Sequence, residues 1–234
     1  MFPKISYKLN KPLDKKITLE FLNIKAGGVD FSNGIIGVHP ELKGINKQSK
    51  IKQKEKINKH FDSFYKQHKD YLNKRIIEFQ KDWNKVEKKY FQEVNKIFKN
   101  YLWSKGKYIG YLSIIDCNPR FLNNETFQVF YFHPEGSVAV TSHELLHFIF
   151  YDYCFKKHPK IFKKLNPDDN IFWDLAEIFN AVILSQPEFV KIHKIKKQSN
   201  YPAHKKLIPV LKRLWNKEKD IDKWIIKAFE YLEK

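Results

Sequence analysis

His143, Glu144 and His147 are the residues whose types and spacing point most directly to chemistry, in the run Ser-His-Glu-Leu-Leu-His at 142–147. On an α-helix, residues four apart lie about 40° apart around the axis, so the two imidazoles would leave one face side by side and could grip a single metal ion. Glu144, beside the first histidine, would reach a water on that ion without being a ligand, which is the place of a general base. Nine histidines and fourteen glutamates in 234 residues would produce H-E-x-x-H by chance roughly 0.02 times per chain.

The chemistry requires a buried helix to carry these side chains. Pro134 and Gly136 mark a break, and the apolar pattern that begins at Val138 and Val140 continues through Leu145, Leu146, Phe148, Ile149, Phe150 and Tyr151. Such a segment is apolar nearly all round and predicts a helix from near Ser137 that is buried in the protein. A second reading stays open, in which Thr141 and Glu144 form a capping box at a helix start and Glu144 merely bonds backbone. A catalytic divalent ion of this type takes three protein ligands and a water, so one protein ligand is missing from the helix itself. The next predicted helix, 171–184, is apolar except for Asp174, Glu177 and Asn180, whose spacing of three places them along one line. Either acidic residue of that line could supply the third ligand, and a capping or surface role for Glu177 is also open.

At these residues the sequence resembles the zincin metallopeptidases, and a downstream glutamate as third ligand makes the resemblance specifically gluzincin-like, the thermolysin type. The resemblance implies Zn²⁺ held by His143, His147 and Glu177, with Glu144 activating the bound water for hydrolysis of a peptide or protein substrate. It also implies that Asp174 or Asn180 orients a ligand through a hydrogen bond. Tyr201 and His204 become candidate oxyanion stabilisers, and the strand predicted at 126–132 would border the cleft and pair with an extended substrate. The departures are plain: Trp173 to Ala181 does not reproduce N-E-x-x-x-D, and the H-E-x-x-H-x-x-G-x-x-H extension of the metzincins is absent. A zincin fold kept as a non-catalytic binding module is the alternative within the same resemblance.

Composition bounds the rest. A net charge of +18 raises nucleic acid as a partner, but Arg75, Arg120 and Arg213 stand against 41 lysines. Phosphate and base recognition favours the planar arginine fork, so a basic nucleic-acid-binding protein is the weaker alternative. No run of eighteen apolar residues and no apolar leader core are present, so a cytoplasmic protein without a membrane partner is expected. Cys117 and Cys154 imply no disulfide framework.

Alternation at 5–9 and 17–24 predicts strands, and Gly27-Gly28 and Asn33-Gly34 predict turns. The Lys-rich stretch from residue 43 predicts a solvated helix face, with His60 and His68 as surface or packing residues. A 3.6-residue period from Leu72 to Tyr101 predicts a long helix, 107–115 and 126–132 two strands, and 207–214 and 221–229 two final amphipathic helices. The fold expected is α+β, zincin-like through the resemblance: a small mixed sheet, the buried H-E-x-x-H helix, and a mainly helical C-terminal part. Its division is expected as 1–158, with sheet, long helices and metal helix, and 159–234, a helical subdomain carrying the third ligand.

Overall fold

A computed structural model of the chain describes residues 2–104, 106–168 and 170–234. The fold is mixed α+β and divides into two compact units that interleave along the sequence. One comprises Pro3–Lys85 and Gly106–Val140; the other Val86–Lys105, Thr141–Lys234 and the first two residues. This division differs from the expected cut at 158/159, because residues 141–158 cluster with the C-terminal helices.

The first unit holds β1 (Ile5–Leu9), α1 (Lys11–Phe21), the short strands β2 (Lys25–Ala26) and β3 (Val29–Asp30), α2 (Phe31–Val38) and α3 (Lys50–Gln67). It also holds most of the long α4 (Lys69–Ile97), then β4 (Tyr108–Ser113), β5 (Arg120–Phe121) and β6 (Thr126–Phe130). Among the described residues the main sheet has the order β1-β4-β6-β5, parallel except at the β6/β5 pair, so it is mixed as expected.

Residues 17–24 are not a strand. Asn10 accepts from the Leu13 N–H at 3.1 Å and Pro12 occupies the first turn, and these two signals commit the chain to α1. The apparent alternation is half of a helical face, on which Asp14, Ile17 and Thr18 are buried at i, i+3 and i+4. Gly27 and Gly28, both at positive φ (59° and 82°), do form the β2–β3 turn. Asn33-Gly34 instead lies inside α2, which starts where Asp30 accepts from both Ser32 N–H and Ser32 Oγ. The Lys-rich face of α3 is exposed at Lys50, Lys52, Lys54 and Lys59, while Gln53, Ile57 and Phe61 face inward, as a solvated face requires.

Gly110 shows how tightly the sheet face is filled. A Cβ there would lie 2.7 and 2.8 Å from two ring carbons of Tyr7 and 3.1 Å from Phe127. Tyr7 is its neighbour across β1 and packs edge-on against Phe79, so a retreat of the ring would disturb that contact. Gly110→Ala is therefore expected to destabilise the chain by about 1–3 kcal/mol through overpacking. Urea unfolding with unchanged m-value would register it, and an unshifted midpoint would show that the sheet yields instead.

Expectation and structure part at β6. It pairs with β4 on one side and with β5 on the other, and beyond β5 the Gln128 N–H donates to Pro119 O and the Phe130 N–H to Asn118 Oδ1. Both sides of the strand are occupied, so 126–130 is an inner strand and presents no free edge to a substrate strand.

The second unit is built around most of α5 (Gly136–Lys157), from Thr141 onward, followed by α6 (Pro159–Phe162), α7 (Asn170–Leu184), α8 (Pro187–His193), α9 (Leu207–Glu218) and α10 (Ile221–Leu232). Its core is an aromatic cluster centred on Phe179, which stacks on Phe150 at 4.5 Å and meets Phe98 and Trp224. Asp222, in the first turn of α10, accepts from Tyr153, His158 and Lys99 and so fastens the end of α5 to α10. α8, begun by Pro187, lies beyond the predicted helices. Cys117 and Cys154 are buried free thiols, and no helix among the described residues is long and apolar enough to cross a membrane.

Candidate metal centre

α5 begins at Gly136, whose positive φ (78°) turns the chain into the helix. Glu144 therefore lies more than two turns inside, too far from the N-terminus to cap it, and the capping-box reading falls. Leu145, Leu146, Phe150 and Cys154 are buried around it, so the helix is held in a dry setting that fixes the direction of its polar side chains.

His143 and His147 present their Nε2 atoms to each other at 3.0 Å. Glu177 arrives from α7 with both oxygens engaged, Oε2 at 3.1 Å from His143 Nε2 and Oε1 at 3.2 Å from His147 Nε2. These separations sit just inside the edge of about 3.3 Å that a tetrahedron of N and O ligands at 2.0–2.1 Å from zinc would have. With both rings in the tautomer that leaves Nε2 unprotonated, these atoms and the carboxylate would all be acceptors, and a divalent cation among them would satisfy all three. The three residues could thus hold a metal ion. Burial alone would raise the Glu177 carboxyl, but the facing His147 and His143 hold it well below the usual carboxylate range, so it stands ready as an anion.

The surroundings lock the rings. His147 is fully buried and stacked under Tyr151, centroids 5.8 Å apart and planes 20° apart, while the Tyr151 hydroxyl donates to Pro167 O. The His143 side chain keeps 34 % of its surface in solvent, which gives the group an open side. Asn180, fully buried one turn beyond Glu177, donates from Nδ2 to the carbonyl of His143 at 2.9 Å and pins α7 to α5. Glu144 is 4 % exposed and is not one of the three converging groups. Its negative charge, after burial, helps hold the Tyr90 phenol well above its ordinary range, while that phenol donates to Ser142 O.

Asp174 is not in the group. Its carboxylate takes His204 Nε2 at 2.6 Å instead, so it supports neither a ligand histidine nor Glu177. His204 is buried by that pairing, and Tyr201, half-buried, packs against Trp173 and His204. Neither belongs to the converging set. Searches against protein-family models, curated proteins and solved structures returned no match to this chain.

Spacing singles out His143 and His147 and leaves Asp174 and Glu177 both open as the third group; it does not reveal the Tyr151 clamp, whose residue reads only as one more apolar position. A second group able to hold a cation, His39, Glu41 and His60, is also invisible in the spacing, since its histidines lie 21 residues apart on different elements.

Proposed function

We propose that the chain is a zinc-dependent metallopeptidase with a zincin-like arrangement of the gluzincin kind, in which His143, His147 and Glu177 hold Zn²⁺ and Glu144 is the general base. The observation that carries this reading is the convergence of two helical imidazoles and a carboxylate from a separate helix, all between 3.0 and 3.2 Å, with a buried glutamate next in sequence to the first ligand. When bound, Zn²⁺ would polarise the scissile carbonyl and lower the pKa of water toward about 7.

The chain's own residues do the remainder. Glu144 takes the proton from the attacking water and passes it to the leaving amine. Tyr151 and the Asn180 bond keep the ligand set rigid, so little reorganisation accompanies reaction. The exposed face of His143 is where a peptide enters. Tyr201, which keeps part of its surface in solvent, is the donor we assign to the developing oxyanion, with His204, tied to Asp174, as the ring that positions it.

Elemental analysis of purified protein tests the ligand set. Zinc per chain is expected to fall by one equivalent in His143→Ala, His147→Ala and Glu177→Ala and to stay unchanged in Asp174→Ala. Wild type should cleave a peptide library, and chelation should stop it. Zinc content indifferent to Glu177, or a zinc-loaded chain that cleaves nothing, would overturn the reading.

A further inference from the structure

The group formed by His39, Glu41 and His60 lies wholly within the sheet-bearing unit. His39 follows α2, Glu41 lies in the 3-10 turn Pro40–Leu42, and His60 is on α3. The His39 ring is buried against Phe61 and Phe64, with centroids at 5.1 and 5.2 Å.

Its Nε2 lies 2.8 Å from the carbonyl oxygen of Ile114. A carbonyl can only accept, so the ring proton sits on Nε2 and Nδ1 presents a lone pair. That lone pair points at His60 Nε2, 3.0 Å away, and Glu41 Oε2 lies 3.8 Å from the same His60 nitrogen. An imidazole whose far N–H is held by a backbone carbonyl is the arrangement metal-binding histidines use to fix tautomer and ring direction. The spacings of 3.0 and 3.8 Å straddle the edge of about 3.3 Å expected around zinc. Glu41, 65 % exposed, can close the difference by a side-chain rotation.

We infer that His39 Nδ1, His60 Nε2 and a carboxylate oxygen of Glu41 form a second site for a divalent cation of the zinc class. Two imidazoles and one carboxylate suit Zn²⁺, Co²⁺ or Ni²⁺ rather than Mg²⁺ or Ca²⁺, which take oxygen ligands. The site ties the segment after α2 to α3 and closes the intervening loop as a cross-link would. The competing arrangement is a plain hydrogen bond from His60 N–H into His39 Nδ1, with Glu41 only a long ion-pair contact of His60 at 3.8 Å. This inference does not depend on the peptidase reading, because the two groups share no residue.

The test uses the full chain, stripped with chelator, in wild-type form and with the first centre removed by His143→Ala and His147→Ala. Co²⁺ titration followed by visible absorption should show one equivalent bound in the double variant. Zn²⁺ should then raise its thermal midpoint by several degrees, and Mg²⁺ should not. Adding His60→Gln should weaken Co²⁺ binding at least tenfold and abolish the thermal shift, and Glu41→Gln should weaken it measurably. If the double variant does not fold, the wild-type chain gives the same answer: whatever the first centre binds, one equivalent is weakened by Glu41→Gln, an exposed change. No binding in the double variant, or binding indifferent to both His60 and Glu41, overturns the site. Loss of the first centre alone would leave these readings unchanged.

Discussion

Glu144→Gln is expected to keep a full complement of zinc and to lower peptide hydrolysis by about 10²- to 10⁴-fold, with the loss in kcat rather than in KM. The amide has nearly the shape of the carboxylate, so the packing of a residue only 4 % exposed in the middle of α5 should survive the change. It cannot take a proton from water, so the step assigned to Glu144 has no acceptor. Zinc should be retained because the converging set is His143, His147 and Glu177, with Glu144 outside it. Metal content and single-turnover cleavage, measured on one preparation, separate the cases. A Gln variant that cleaves at the wild-type rate removes Glu144 from the mechanism, and one that loses zinc makes it a ligand.

The second large effect is on stability and concerns Asp14. This carboxylate is 1 % exposed and accepts four hydrogen bonds, from Tyr65 Oη at 2.5 Å, Gln128 Nε2 at 2.6 Å, Ser113 Oγ at 2.7 Å and the Ile114 N–H at 3.1 Å. It joins α1, α3, β4 and β6 through one side chain. Asp14→Ala leaves several buried donors without an acceptor and should cost about 3–5 kcal/mol, a large part of the total stability of a typical domain. Equilibrium unfolding in urea would measure it, and a loss below about 1 kcal/mol would mean that the donors find water or one another.

The same residue predicts a pH dependence. Burial outweighs the four hydrogen bonds and lifts the Asp14 carboxyl from 3.8 to about 6. The folded chain then binds more protons than the unfolded chain between these values. The contribution is complete below about pH 4 and is lost as pH rises through about 6. The span of roughly two units corresponds to about 3 kcal/mol as an order of magnitude. Subtracting the pH–stability curve of Asp14→Asn from that of wild type cancels the other titrating groups and should leave this falling slope.

Helical periodicity carries information over three or four residues, and much of the group that could hold a metal ion uses that range. His143 and His147 are one turn apart, and Glu177 stands out as a charge in an apolar helix. Asn180 was legible for the same reason, although its bond goes to the His143 backbone rather than to a side chain. The single acidic line on α7 hides two destinations, since Asp174 is claimed by a histidine thirty residues downstream. Which of two neighbouring carboxylates meets the imidazoles depends on how α7 is rotated, and rotation is fixed by packing.

The N-terminal misreading has a local cause. Alternation over 17–24 predicts a strand, but a helix with one buried face also alternates over a few residues, and the structure starts that helix at Asn10 and Pro12. Asp14 and the His39–His60 pair are tertiary features. Their partners lie from 21 to 114 residues away, and no spacing rule reaches that far.

Glu177 and Asn180 stand one turn apart on α7, so the side chain that would face the ion and the side chain that grips the His143 backbone share one rotational setting. Any roll of that cylinder about its axis withdraws both together. Coordination and docking are therefore indexed to the same angle, and the pocket behaves as a keyed joint that engages in one orientation.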